Sequence, residues 1–219
     1  MQNNNRIAGS RQFGGARTVF TGTRTGITSG KYNIELDRVP DLKNGHVPAG
    51  TPIHLDDATR EADIHYAFEV VAGSTLTKTR VKKGFEGTRA KVGMNIMVAP
   101  DAVDTEGASV VITAVDSANA EYDELTHASL ADSSAEGTIL VEADKAGADG
   151  KIKVLPNAFT FYDLVKDPNS VEMWVDGMYT HVDGVLLERR VPPIAPCIKD
   201  YLASPTQGNT YVRYSKSKE

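Results

Sequence analysis

Five histidines, twenty-nine carboxylates and one cysteine are the residues of this chain that could do acid–base, nucleophilic or metal chemistry. Their spacing does not organise them for it. His46, His54, His65, His127 and His181 are scattered, with neither the HExxH nor the HxH interval that sets two imidazoles on one ion. Asp56, Asp57 and Asp63 could approach one another round a turn and face a hard cation. The alternating oxygen ligands of an EF-hand loop are missing, however, so these read as solvated turn carboxylates. The stretch "DKAGADGK" (144–151) lacks the same ligand run and reads as a hairpin turn. Neither a GxSxG elbow nor a GxxxxGK[ST] phosphate loop is present. Cys197 sits in "PPIAPCIKD", a proline-bounded segment where a small buried thiol is expected rather than a nucleophile. A glycan hydrolase using two of the many acids is the enzyme alternative, but no pair stands out for that work. The reading is a binding or structural protein with no catalytic residues, no metal and no cofactor.

The elements that would position any site are β. "KYNIELDRV" alternates, with Tyr32, Ile34 and Leu36 on one side and Asn33, Glu35 and Asp37 on the other. "VPAGTPIHLD" (47–56) reads as a rigid turn entering a short strand, because Pro48 and Pro52 fix φ and Gly50 permits φ > 0. "IHYAFEVVA" is a mostly apolar strand, and "RAKVGMNIMVAP" closes the first half. In "TLTKTRVKK" the pleat puts Lys78, Arg80 and Lys82 on one face and Thr77, Thr79 and Val81 on the other. The second half offers "ASVVITAVD" as a core strand and "GTILVEAD" after it. In "VEMWVDGMYTHVDGVLLERRVPP", Asp176–Gly177 and Asp183–Gly184 suit type I′ turns and predict a three-stranded meander. "FTFYDLVKDP" and "APCIKDYLAS" allow short helices.

These runs predict a mainly β protein with β-sandwich or barrel-like units and short helices. Three segments are expected: a flexible N-terminal arm (1–27), a β domain (28–100) and a second β domain (101–219). The arm holds the apolar anchors Phe13, Val19 and Phe20, and "TVFTGTRTG" could add a strand to a neighbour's sheet edge. No period of 20–50 residues is visible, which argues against a solenoid or propeller.

Charge is distributed in blocks. Residues 1–30 carry Arg6, Arg11, Arg17 and Arg24 and no acid. Residues 101–149 carry twelve acids and one lysine, a local balance of −11 in a chain of net −5. Such blocks suggest one end facing a partner and another facing solvent. The Lys78/Arg80/Lys82 stripe lacks interleaved aromatics and the chain is acidic, so nucleic acid is not expected as a partner. A single cysteine excludes an intramolecular disulfide framework. No stretch approaches the roughly 20 apolar residues of a membrane span. "MQNNNRIAGS" has no secretory character, and the expectation is a soluble chain assembled in a reducing cytoplasm.

Over residues 45–98 the chain resembles the head decoration (cement or auxiliary capsid) proteins of tailed bacteriophages. The likeness lies in "VPAGTPIHLD", "ATREADIHYAFEVVA" and "VGMNIMV": a small-Thr-Pro-apolar turn entering a strand, a hairpin, then an apolar segment. The arm is a second point of similarity, and "ILVEAD" and "VLLERRVP" are similar in style to surface proteins of crAss-like phages. The resemblance implies a virion protein on the capsid surface that stabilises contacts between major capsid protein subunits. Further copies of the chain or a head-fibre protein are additional implied partners. It makes Arg6, Arg11, Phe13, Arg17, Val19, Phe20 and Arg24 the capsid-binding arm. Pro48, Gly50, Thr51 and Pro52 become a shell-seating turn, and Lys78, Arg80 and Lys82 a shell-facing basic stripe. The alternative is a head-fibre or receptor- or glycan-binding module, with Trp174, Tyr179 and Tyr201 as contact residues.

Overall fold

The structure, a computed structural model, describes residues 20–21, 28–34, 46–84, 88–160, 163–165, 173–179, 184–203 and 212–216. It is mainly β, as expected. Five strands close a barrel in the order β13-β15-β2-β5-β4: β2 (Thr28–Ile34), β4 (Pro52–Asp56), β5 (Glu61–Ile64), β13 (Ala158–Thr160) and β15 (Met173–Tyr179). A larger sheet runs β6-β11-β8-β9-β10-β7. Its strands are β6 (Ala67–Glu69), β7 (Lys78–Lys82), β8 (Asn95–Val98), β9 (Gly107–Asp116), β10 (Tyr122–His127) and β11 (Ile139–Glu142). β12 (Gly147–Gly150) pairs with β9 beside this path, and a bridge between Val70 and Val81 ties the two ends of the sheet together. The third sheet joins β1 (Phe20–Thr21), β16 (Gly184–Leu187) and β17 (Val212–Ser215), while β3 (His46–Val47) pairs with β14 (Leu164–Val165). One helix, α1 (Pro196–Leu202), begins with proline at its first position, where the missing N–H costs nothing.

The segment 61–69 explains why the two large sheets form one body. β5 belongs to the barrel and β6 to the larger sheet, and the chain crosses between them at His65 and Tyr66. Ile64, His65, Tyr66, Ala67 and Phe68 are buried in succession, so both faces of the segment are covered. The apolar run "IHYAFEVVA" is therefore two strands in two sheets, not the single strand expected. A continuous core follows, in which Tyr32, Ile34 and Ile53 of the barrel join Ile96, Ile112, Leu125 and Leu140 of the larger sheet. Each such side chain contributes about 1.5–3 kcal/mol by leaving water.

Several expectations are corrected. A boundary at residue 100 is not observed: β8 lies before it and pairs with β9 and β11 after it, and the barrel likewise takes strands from both halves. The meander is also not found among the described residues. Asp176 and Gly177 lie inside β15, which is paired on both sides, and the register with β2 shifts between Val175 and Gly177. Here the Asp-Gly pair runs on as strand instead of turning, because pairing on both edges outweighs local turn preference, and the extra residues of the shift lie on β2, between Thr28 and Tyr32. β16 joins β1 and β17 instead, and Asp183 lies outside the described residues. "FTFYDLVKDP" contributes β13 and β14 instead of a helix, whereas "APCIKDYLAS" does form α1. "ASVVITAVD" becomes β9, but only Ser109 and Ile112 of that strand are buried, so it lies at the margin of the core and is not a core strand. "DKAGADGK" is a hairpin connection as read: Ala143 bridges Ile152, and the Asp144 carboxylate accepts the Lys151 N–H at 2.8 Å.

Candidate functional site

The turn "VPAG" is built to hold a single shape. The Thr51 N–H donates to Pro48 O at 3.2 Å, closing a β-turn whose third residue, Gly50, has φ +78°. That conformation suits glycine, as the sequence implied. Pro48 O also accepts the hydroxyls of Thr51 (2.6 Å) and Thr160 (2.8 Å), and the Ala49 N–H donates to Asp163 Oδ1 at 2.7 Å. Pro48, Gly50, Thr51 and Pro52 are all buried, which corrects their expected role as a shell-seating surface. What they shape is internal. A Cβ on Gly50 would collide with Val191, so the turn forms the bed on which the segment after β16 lies.

That segment, a 3-10 turn at Glu188–Arg190 followed by "VPP", forms one wall of a groove of about 400 Å³. The other walls come from Pro48, from β6, and from Lys82, Lys83, Thr88 and Arg89 beyond the end of β7. Five cations (Lys82, Lys83, Arg89, Arg189, Arg190) face this space against two carboxylates, Glu69 and Glu188. Both carboxylates have internal partners: Lys82 lies 3.2 Å from Glu69, and Lys199 pairs with Glu188. Lys83 is committed too, 2.9 Å from Asp123 and donating to the Ser117 carbonyl at 2.7 Å, while the Thr88 hydroxyl holds the other Asp123 oxygen at 2.6 Å.

Arg89 differs from these. It is 6 % exposed, and its φ of +60° is one that side chains other than glycine adopt rarely. Arg60 and Asp132 share that conformation, but both are exposed. Among the described residues, the one hydrogen bond of the Arg89 guanidinium runs from Nη1 to Thr51 Oγ1 at a long 3.4 Å, and no carboxylate pairs with it. Its central carbon lies 5.6 Å from the centre of the Tyr66 ring. Burial pushes the guanidinium down to about 10, so it stays charged at neutral pH. Beside it, His65 is held down to about 4, chiefly by burial and further by the charge of Arg89; its Nδ1 faces the Val154 carbonyl at 2.8 Å.

The basic stripe is present but not free. Lys78, Arg80 and Lys82 do share the outward face of β7, with Thr79 and Val81 buried beneath and Thr77 exposed. Glu124 stands opposite Arg80 on β10 and takes both Lys78 (3.1 Å) and Arg80 (3.2 Å), while Lys82 takes Glu69. The hydrogen bond from Lys78, then that from Arg80, hold the Glu124 carboxyl below its usual range. Each cation of the stripe thus has a carboxylate partner within the chain, three positive charges against two negative. Of the arm, Arg6, Arg11, Phe13, Arg17, Val19 and Arg24 lie outside the described residues. Phe20 does not: with Thr21 it pairs with Leu186 and Val185, so this piece of the arm adds a strand to the chain's own sheet.

Asp56, Asp57 and Asp63 are not gathered on a common point. Asp56 accepts the N–H groups of Ala58 and Thr59, which lower its pKa, and Asp57 accepts the Tyr32 hydroxyl. Among the described residues, no group of three or more His, Cys, Asp or Glu could hold a metal ion, and no helix is long and apolar enough to cross a membrane. Cys197 is a buried thiol on α1, raised by burial. Tyr201, on α1, is half-buried against the core and offers no open aromatic platform; the side chains of Trp174 and Tyr179 lie outside the described residues. No family model, curated protein or solved structure matches the chain. The groove was not legible beforehand: "GTRAKV" carries no pattern that marks Arg89 for burial, and its neighbours come from four separate stretches.

Proposed function

We propose that the chain is a non-enzymatic structural component of a virion, decorating the capsid surface and stabilising contacts between major capsid protein subunits. The observation that supports this best is that β1 pairs with the strand that leads into the basic groove. β1 ends an acid-free stretch carrying Arg6, Arg11 and Arg17, and it is hydrogen-bonded along β16. β16 continues without a break into Glu188–Arg190 and the basic groove. In this reading β1 and the groove belong to one attachment face for an acidic partner surface, and the arginines before β1 serve the same contact.

The acidic block supplies the opposite polarity. Asp101, Asp104, Glu106, Asp116, Glu121, Asp132, Glu136, Asp144 and Asp149 are exposed. Two of these, Glu106 and Asp149, pair with Lys151 and Lys145, and the three remaining acids of the block are paired as well: Asp123 with Lys83, Glu124 with Lys78 and Arg80, and Glu142 with Lys153. In this reading the exposed acids face solvent or a second partner while the arm and groove face the shell.

Two truncations test the proposal on assembled particles. Deleting residues 1–19 removes three arginines but keeps β1; deleting 1–27 also opens the edge of β16. Incorporation should fall with the first and vanish with the second, with folding retained by circular dichroism. Full decoration by the shorter chain would refute the attachment role of the arm.

A further inference from the structure

We propose that the groove is a carboxylate-binding site, in which Arg89 grips the carboxylate and the apolar remainder of the ligand lies on Ala67, Val191, Pro192 and Pro193. A guanidinium carries five N–H donors in a planar fork, and a buried one is costly unless they are used. In Arg89 one weak contact to Thr51 is the whole complement among the described residues, yet the group lines an open space instead of packing against an acid. The backbone at Arg89 is also held at φ +60° in a buried position. Strain at a buried, uncompensated charge beside a cavity is the pattern expected where a ligand completes the structure.

The class of ligand follows from the remaining lining. A volume of about 400 Å³ is that of a small-molecule site. A phosphate dianion would need several donors round it, but Lys82 and Lys83 are held by Glu69 and Asp123, and the Thr88 hydroxyl by Asp123. What is left is the buried Arg89 fork above apolar walls, with Arg189 and the half-buried Arg190 on the facing 188–193 segment, which suits a planar two-oxygen group on an apolar body. Arg189, exposed at the rim, adds attraction without making the grip.

This inference is independent of the capsid reading, because its test needs no partner. The full chain is titrated with hexanoate, with hexanol as the uncharged control and with inorganic phosphate. The Arg89 Nε–H signal is followed by NMR, assigned by its loss in Arg89→Lys, and thermal unfolding is measured in parallel. Hexanoate should move the signal saturably and raise Tm; hexanol should do neither, and phosphate should bind about tenfold more weakly, the difference of one well-placed contact. In Arg89→Met the response to hexanoate should be lost, while Arg189→Ala keeps it in reduced form. An unmoved Arg89 signal in the wild-type chain overturns the proposal, whatever the variants do. Phosphate binding more tightly than hexanoate overturns the assignment to carboxylates, and an undiminished hexanoate response in Arg89→Met overturns the role of Arg89.

Discussion

A row of cations and a single arginine lie close together in the sequence and are treated in opposite ways by the fold. On β7, Lys78, Arg80 and Lys82 reach outward and meet Glu124 and Glu69 in or near solvent. Beyond the end of that strand, Arg89 turns inward and meets one hydroxyl and an aromatic ring. The stripe looks more functional in a sequence, because it alternates cleanly. Pairing of β10 with β7 nevertheless places a carboxylate opposite its centre, so that every cation of the stripe has an internal partner. The difference teaches that a positive site is defined by charges that lack internal partners, not by the number of bases in a run.

The largest expected effect lies at the bed of the groove. Gly50→Val combines a disfavoured φ with a collision at Val191, and should destabilise the chain by about 4 kcal/mol in urea denaturation. An unchanged midpoint would mean that the 188–193 wall does not rest on the turn. Next comes His65. Folded, it stays neutral down to about pH 4, whereas the unfolded imidazole takes its proton near 6.5. The unfolded state therefore gains protons first as pH falls. Stability is full above 6.5 and is lost between 6.5 and 4, by about 3 kcal/mol. Denaturation curves across that range, compared with His65→Gln, isolate this part, since the amide can still donate to the Val154 carbonyl.

Smaller effects separate the row from the single arginine. Arg89→Met keeps the side-chain length and removes an uncompensated buried charge, so stability without ligand should rise by about 1–2 kcal/mol. Glu124→Gln leaves Lys78 and Arg80 in contact with water and should cost less than about 1 kcal/mol. If Glu124→Gln proves the more damaging of the two, the contrast between paired and unpaired cations fails.

The alternating strands were legible because one face of each is wet: Tyr32 and Ile34 point inward from β2, and Thr79 and Val81 from β7. Segments covered on both faces were not. "IHYAFEVVA" hides its passage from one sheet to another, and Asp176–Gly177 continues as strand instead of turning because both edges of β15 are occupied. The shape of "VPAGTP" followed from residue types, but its burial depends on Val191, 141 positions after Gly50 by their numbers (191 − 50). For the same reason the groove escaped notice. Its walls are assembled by long-range packing, and a lone arginine in "GTRAKV" gives no local sign of where its side chain will end.

The account as a whole rests on one face of the molecule, where β1, β16 and the groove meet, being the one that holds the partner shell. Association with purified capsid shells decides it, measured for wild type, Arg189→Glu at the groove rim and Lys78→Glu on the stripe. Both positions are exposed, so neither change should disturb the fold. Arg189→Glu should slow association by about tenfold, the scale on which steering charges act, and Lys78→Glu should leave the rate close to wild type. A rate that falls with Lys78→Glu and is untouched by Arg189→Glu would place the attachment face on the stripe and contradict the account.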